Sequence, residues 1–423
     1  MTRKLLKIIL KVLAARVVDR YKPVVVGITG SVGKSTAKEA IYAVLSRRFW
    51  ARKNAENLNN EFGVPSAVLG VDFSAAWLDK LANLFRAFWV AFGWPAAKYP
   101  KILVLELAAD RAGDIKYLTD IVKPSVGVVT AVGETPVHVE FYASPQEVAR
   151  EKSRLISCLP AAGRAILNYD DQTVLDMKNT TKTRVTTFGF SNRADIWASG
   201  VSFFVSDDGE SVGGLSFKIH HGESFVPMRV SDLIAPNQIY GILAAAAAAV
   251  HFGLNLIDVA EAGDDIELPR RRMQPVRGIK NTFIIDDTYN SSPLSAHAAL
   301  DTLGELGKAL AGLGGLGGKV RKIAVLGDMR ELGKYQIEAH RAIGDLAGER
   351  ADVLITVGAA AKFIADSAAN QMPAERIMSF STADEAKEKV KALIQAGDIV
   401  LVKGSRAMEM EKIVDEINYE EIN

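Results

Sequence analysis

A single cysteine, Cys158, serves a chain of 423 residues. That excludes an intrachain disulfide framework and a cysteine-based zinc site, and it fits a reducing compartment. Net charge is almost absent as well: 51 Lys and Arg stand against 50 Asp and Glu, a formal +1. The molecule as a whole is no electrostatic glove for nucleic acid. Long apolar runs are also missing, and no uninterrupted stretch reaches the length that spans a bilayer. The opening "MTRKLLKIILKVLAARVVDRYK" imitates a secretion signal, but Lys7 and Lys11 break its apolar run. A cytoplasmic protein is expected. What remains is ordinary for a globular chain, 48% hydrophobic and 24% charged. The length exceeds one core and implies two or three domains.

The pattern along the chain is α/β. "VVVGITGSVGKSTAKEAIYAVL" (24–45) reads strand, turn, helix, and further buried strands follow in "KILVLELAAD" (101–110), "SVGVVTAV" (125–132) and "GRAILNYDD" (163–171). Helical patterns lie between them, as at 144–158, so a mostly parallel sheet is expected. Short alternating runs over 184–230 suggest a small antiparallel excursion, and "NQIYGILAAAAAAVHFGL" (237–254) reads as a strong helix. A boundary is expected near "IELPRRRMQPVRG" (266–278). After it, "FIIDD", "KIAVLGD", "DVLITVG" and "DIVLVKGS" form a second α/β series with polar strand ends, as ligand-facing ends do in open sheets. "GLGGLGG" (312–318) is expected to be a mobile surface loop.

The chemistry begins at Gly30-Ser31-Val32-Gly33-Lys34-Ser35, shorter than the usual G-x-x-x-x-G-K-[ST] loop. Glycines let backbone N–H groups turn in around phosphate oxygens, and the following helix N-terminus adds partial positive charge. Lys34 is placed to reach β- and γ-phosphates, and Ser35 to ligate Mg²⁺. The plain alternative is a glycine turn with no ligand. Strand, glycines, Lys-Ser and helix in that order favour phosphate. Glu106 sits at a strand end and can hold a metal. His138, in "ETPVHVEFY" with Glu140, follows the neighbouring strand, which suits either a structural or a ligating role. Lys152, in "EVAREKSRLI", reads by spacing alone as a solvated helix lysine.

These motifs together resemble the Mur ligases, ATP-dependent amide ligases of cell-wall peptide synthesis, and most of all the MurF type. Members of that type add D-alanyl-D-alanine to a UDP-N-acetylmuramoyl-tripeptide. The resemblance runs over roughly 24–415: "GITGSVGKST", "NLNNEFGVP" (57–65), "LELAADRAGDI" (105–115), "HVEFYASPQEVAREK" (138–152), "ILNYDD" (166–171), "IIDDTYNSSPLS" (284–295), "VLGDMRELG" (325–333) and "LVKGSRAMEME" (401–411) follow in family order. It implies a central ATP-binding P-loop domain with a mostly parallel sheet at 23–268, here with an amphipathic insertion near 74–100, and a Rossmann-like α/β C-terminal domain at 269–423; residues 1–22, ahead of it, read by their own pattern as a basic amphipathic helix.

Residue roles follow from the resemblance. The loop Gly30, Ser31, Val32, Gly33, Lys34, Ser35 and Thr36 would bind ATP. Ser35 and Glu106 would hold one Mg²⁺. His138 would help hold a second, supported by Lys152, which matches a lysine carbamylated in many relatives. Asn237 matches an adenine contact, Arg272 an arginine near the phosphates, and Asp287 and Asn290 positions near ribose and adenine. Asn59, Asn60, Asp328, Lys403 and Ser405 would face substrate. The implied reaction turns a carboxylate into an acyl phosphate, whose leaving group is good, and an amine then displaces phosphate. The partners implied are a cell-wall peptide precursor and an amino acid or dipeptide, with no nucleic acid.

The chain departs from the family in four places. The usual Gly-Arg before the second domain is Arg271-Arg272, and the usual His-Asn before the alanine-rich helix is Pro236-Asn237. A typical MurF-type enzyme carries a UDP-binding domain before the phosphate loop. Here residues 1–22 take its place, so ATP chemistry is better supported than a UDP-linked substrate. A segment near 74–100 is added, with Trp77, Leu81, Phe85, Phe88 and Phe92 on one helical face. In 1–22, Lys4, Lys7 and Lys11 share a face opposite a broad apolar one. The two segments either pack on each other or on a second copy, or lie on a membrane. The rivals to MurF-type ligation are a ligase of the same superfamily on a lipid-linked or folylpolyglutamate-type acceptor, and a non-catalytic ATP-binding scaffold.

Overall fold

A computed structural model describes residues 3–72, 77–93, 98–136, 138–206, 211–312 and 320–419. The β-branched runs become strands, as their stiffness at χ1 favours. The first sheet has nine: β1 (Val24–Thr29), β2 (Ala51–Lys53), β3 (Ile102–Glu106), β4 (Val126–Val129), β5 (Arg164–Asn168), β6 (Arg184–Gly189), β7 (Ile196–Val205), β8 (Val212–His221) and β9 (Ser224–Ser231). Their order is β2-β3-β1-β4-β5-β6-β7-β8-β9. It is parallel through β7 and antiparallel across β7-β8-β9. The antiparallel excursion is therefore an extension of the central sheet.

The second sheet holds β10 (Gln274–Gly278), β11 (Thr282–Asp287), β12 (Lys322–Gly327), β13 (Val353–Val357), β14 (Ile377–Phe380) and β15 (Ile399–Lys403), in the order β10-β11-β15-β12-β13-β14. Only β10 runs antiparallel to its neighbour. Of the glycine-rich stretch, Gly312 ends a helix and 313–318 lie outside the described residues.

Helices cover both faces of the first sheet: α1 (Arg3–Tyr21), α2 (Lys34–Ser46), α3 (Gly63–Leu69), α4 (Trp77–Phe92), α5 (Asp114–Val122), α6 (Pro145–Ser157), α7 (Gln172–Leu175) and α8 (Ile239–His251). One face packs under α2 and α8, the other under α1, α3, α5 and α6. The alanine row Ala244–Ala249 is buried in α8. A Cβ on Gly241 would stand 2.9 Å from the Ala37 backbone nitrogen, so small residues are what let α8 press against the start of α2. That contact fixes the helix whose N-terminus carries the phosphate loop.

The two added helices pair, but not as their sequence stripes suggest. In α1, Leu10, Leu13, Ala14, Val17 and Val18 are buried. Lys7 and Lys11 do not face water alone: their ammonium groups stand 4.5 and 4.9 Å over the Tyr117 ring of α5. The small residues Ala87 and Ala91 of α4 are buried, while Arg20 donates to the carbonyls of Val90 and Gly93, and Tyr21 to Val90. The aromatic side of α4 is turned outward, with Phe85, Phe88 and Phe92 exposed. Alanine seats a helix closer than phenylalanine can, so the small face wins the interior. The side chains of Trp77 and Leu81 lie outside the described residues.

Candidate functional site

The loop after β1 is bent by two glycines. Gly30 has φ 150°, and a Cβ there would fall 2.1 Å from Thr130 Oγ1; Gly33, at φ 84°, leads directly into α2. The first N–H groups of α2 lack intrahelical acceptors and present partial positive charge at the loop. Lys34 folds back, its Nζ donating to the carbonyls of Gly30 at 2.9 Å and Ser31 at 3.3 Å.

Because β3 and β4 flank β1, residues far apart in sequence meet at this loop. Glu106 pairs in register with Ile28 and ends β3 beside the start of α2. Ser35 Oγ donates to its Oε2 at 2.7 Å, and Asn59 Nδ2 to its Oε1 at 2.9 Å. Asn54 grips the same residue's backbone, donating to its carbonyl and accepting from its N–H. Burial alone would raise the Glu106 carboxyl. The charges of Lys34 and Arg272 and the two side-chain donors outweigh it and hold the carboxyl below its ordinary value. Burial also lowers the Lys34 ammonium, with Glu106 pulling the other way.

Lys152 contradicts its reading as a solvated helix lysine. It is 2% exposed, and its Nζ donates to the Gly30 carbonyl at 3.1 Å. Burial, with the Lys34 charge adding, drives its pKa down to about 7. His138 follows β4 in a left-handed conformation, φ 67°. Its Nε2 is 3.4 Å from Asp110 Oδ1, and its Nδ1 is 2.5 Å from Glu331 Oε2 beyond β12. It therefore bridges the two halves of the molecule.

The second half contributes Arg272, Asp287, Tyr289, Asn290 and Lys403 to one cleft of about 280 Å³ shared with the loop, Asn59, Glu106, Asp110, His138, Lys152 and Asn237. Lys403 is buried against Asp287 at 2.6 Å and donates to the Asn290 carbonyl at 2.9 Å. Arg272 lies 3.9 Å over the Tyr289 ring. A second cavity of about 670 Å³ adjoins at Val32, Gly33 and Asn237, lined also by Tyr240, Leu294 and His297. Asp287 and Asn290 line the first cleft and not this one.

The cleft's own atoms fit a nucleotide and a hard cation. Ser31 Oγ, Asn237 Oδ1 and Arg272 Nε are buried without a hydrogen-bond partner, and such orphans ordinarily mark an absent polar ligand. Among the described residues, no three His, Cys, Asp or Glu gather as a metal cluster. Mg²⁺ is usually held by one or two protein oxygens together with substrate phosphates. Ser35 and Glu106 offer such a pair.

Three sequence-derived substrate positions stand outside the lining of the cleft. Asn60 accepts from the N–H groups of Phe62 and Gly63 and starts α3. Asp328 accepts from Ala361 N, and Ser405 Oγ accepts from Arg330 N, tying loops of the second sheet together. Asp110, Glu331 and Tyr289 were not singled out from the sequence. Asp110 lies within "LELAAD", but nothing local signals a partner for His138 on β12's far loop.

Comparison with known proteins gives a consistent picture. Residues 94–249 match the Mur ligase middle domain, and 271–406 match the Mur ligase, glutamate ligase domain. The UDP-N-acetylmuramoyl-tripeptide–D-alanyl-D-alanine ligase of Bacillus subtilis (strain 168) is 27% identical over 399 residues, 93% of this chain and 75% of that one. The enzyme of the same name from Mycobacterium tuberculosis (strain ATCC 25618 / H37Rv) is 29% identical over 408 residues, 92% and 72%. A crystal structure of MurF from Acinetobacter baumannii superposes with a TM-score of 0.76 at 26% identity, covering 97% of this chain and 80% of that one. MurF ligase from Thermotoga maritima in complex with ADP shares the fold, with a TM-score of 0.75 at 24% identity over 96% and 82%.

Proposed function

The chain belongs to the Mur ligase family, and on that premise we propose that the cleft between its sheets joins the amine of D-alanyl-D-alanine to the carboxylate of a cell-wall peptide precursor. An ATP-dependent ligase that forms C–N bonds in peptidoglycan synthesis is what the MurF relatives support. The residue roles are those the family resemblance implies, and the geometry of the cleft supports them. When bound, ATP supplies the γ-phosphoryl group that makes the carboxylate a good acyl donor, and Mg²⁺ neutralises charge on it.

The loop N–H groups and Lys34 cradle the phosphates, and Arg272 brings a guanidinium to the same cleft from the second half. Ser35 and Glu106 hold the cation. Asn237, with an unpartnered Oδ1 at the junction of the two cavities, faces the base. Lys152 as an ammonium has no lone pair for a metal. Its pKa of about 7 leaves much of it as free amine at neutral pH. The lone pair can add to CO₂ with loss of a proton, and the resulting carbamate oxygens would act beside His138 on a second cation.

The observation that carries this reading is the convergence of Lys34, Glu106 and Lys152 from the first half of the molecule with Arg272 and Lys403 from the second. Phosphate release is the test. It should require both D-alanyl-D-alanine and a muramoyl-tripeptide, presented UDP-linked. Turnover restricted to a lipid-linked or folate-type acceptor would replace the substrate assignment, and no turnover on any acceptor would favour a scaffold.

A further inference from the structure

Phe85, Phe88, Trp89 and Phe92 recur at i, i+3, i+4 and i+7 along α4, and all four are turned to water, Phe85 at 73% and Phe92 at 57% exposure. A stripe with that spacing ordinarily faces the interior. Here the opposite side of the helix, at Ala87 and Ala91, does the packing. Ile8 and Val12 of α1 are exposed too, at 59% and 56%. The Arg16 guanidinium lies 5.7 Å from the Phe92 ring and joins the two exposed stripes. Single exposed apolar residues need no account, but a contiguous apolar patch marks an interaction surface.

The surroundings of the patch state its partner's charge. Lys4, Arg16, Arg86 and Lys98 are exposed on or next to these helices. The one acid in α1, Asp19, is paired with Lys123 at 2.6 Å. Among the described residues, no helix is long and apolar enough to cross a membrane. Apolar area with a basic rim, on helices that cannot span, is the pattern of elements that lie in a bilayer interface. Trp89 adds a ring of the kind that settles at headgroup level.

We propose that α1 and α4 together form a docking face for an anionic bilayer, with the aromatic stripe, Ile8 and Val12 at the headgroup–acyl boundary and the basic side chains on lipid phosphates. No residue of either helix lines the nucleotide cleft, so docking and ligation can be measured separately.

Flotation of the full chain with vesicles tests this. The protein should rise with phosphatidylcholine vesicles that contain phosphatidylglycerol, stay behind with pure phosphatidylcholine, and detach as salt increases. Replacing Phe85, Phe88, Trp89 and Phe92 by serine should weaken vesicle binding by at least about tenfold and leave ADP affinity unchanged, which also reports that the fold survives. Should that variant misfold, Arg16→Glu with Arg86→Glu, both at exposed positions, carries the test and should abolish the preference for anionic vesicles. Failure to float, or equal binding to neutral and anionic vesicles, overturns the proposal. So does a wild type that sediments as a dimer without floating and is made monomeric by the serine substitutions, since the face would then belong to a second copy.

Discussion

Lys152→Met removes a buried charge and keeps most of the side chain's volume. The lysine titrates near 7 in the folded chain against an ordinary 10.5. Moving from an ordinary 10.5 to about 7 costs the folded state about 5 kcal/mol when the amine is charged, at ~1.4 kcal/mol per tenfold change in proton affinity. Below pH 7 both folded and unfolded chains hold the proton, and the folded state bears the full cost of the buried ammonium. Between 7 and 10.5 the unfolded chain holds more protons, so stability rises with pH; above 10.5 the cost is gone. Methionine carries no such cost. From pH 6 to pH 9 the stability of the wild type should therefore gain about 3 kcal/mol on the variant. At pH 6 the variant should be the more stable of the two. The Gly30 carbonyl is not orphaned by the change, because Lys34 still donates to it. Urea unfolding of both proteins in buffers free of CO₂ and metal measures the difference directly. Parallel stability–pH curves would refute the argument that burial holds this amine near neutrality, and with it the physical basis for carbamylation. The same variant should lose ligation by at least about 100-fold if the carbamate supports catalysis, and mass spectrometry in bicarbonate should find the adduct only in the wild type.

Lys34→Ala or Glu106→Ala should each lower ligation by at least about 100-fold, the scale for one preorganised electrostatic contact; near-normal phosphate release in either would remove that residue from the site. Gly30→Ala places a Cβ 2.1 Å from Thr130 Oγ1 and 3.1 Å from the Ala131 carbonyl, so ADP binding by calorimetry should be lost while the thermal melt of the second half persists. Arg271→Gly removes a left-handed arginine, φ 57°, whose strain of roughly 1–2 kcal/mol offsets an ion pair to Glu411 worth at most about 1 kcal/mol. Its denaturation midpoint should stay close to the wild type's with turnover unchanged, and a large loss of stability would mean that the pair to Glu411 matters far more than its exposure implies.

Local pattern carried most of the fold. Strand runs, the glycine turn and the alanine-rich helix are short-range features, and each formed where its residues pointed. What the sequence could not show was orientation. The stripe of α4 is amphipathic by spacing, but spacing does not say which side meets the protein. That depends on whether the partner helix accepts a flat alanine face or bulky rings, and α1 accepts Ala87 and Ala91. Lys152 is the converse case. Its surroundings are assembled from the loop after β1 and from α6, so burial, and the shift that follows from it, has no local signal. Glu331 meets His138 only because the second sheet is seated against the first. Asn60, Asp328 and Ser405 stand in motifs of the resemblance, and their side chains are engaged in backbone contacts, Asn60 at the start of α3 and the other two between loops of the second sheet; a motif places a residue near a site without saying which way it points.

Two of the four departures from the family pattern, at Arg271 and Pro236, show how a backbone can keep a conformation without the residue that usually favours it. Where Gly-Arg is usual, Arg271 takes the left-handed φ that glycine adopts freely, and its side chain finds Glu411 at 3.1 Å while its N–H meets Gln274. Met273, on the other side, is also left-handed, at φ 53°, and its N–H is held by Asp287. Arg272 is thus set between two turned residues that drive its guanidinium over Tyr289 and into the cleft. Where His-Asn is usual, Pro236 opens a short 3₁₀ turn (Pro236–Gln238), a position in which its missing N–H is not needed. Gln238 then anchors that turn to the Arg272 carbonyl at 3.1 Å. The two altered motifs therefore touch each other across the cleft. What they have in common is placement of Asn237 and Arg272, two cleft residues with buried polar atoms that lack partners.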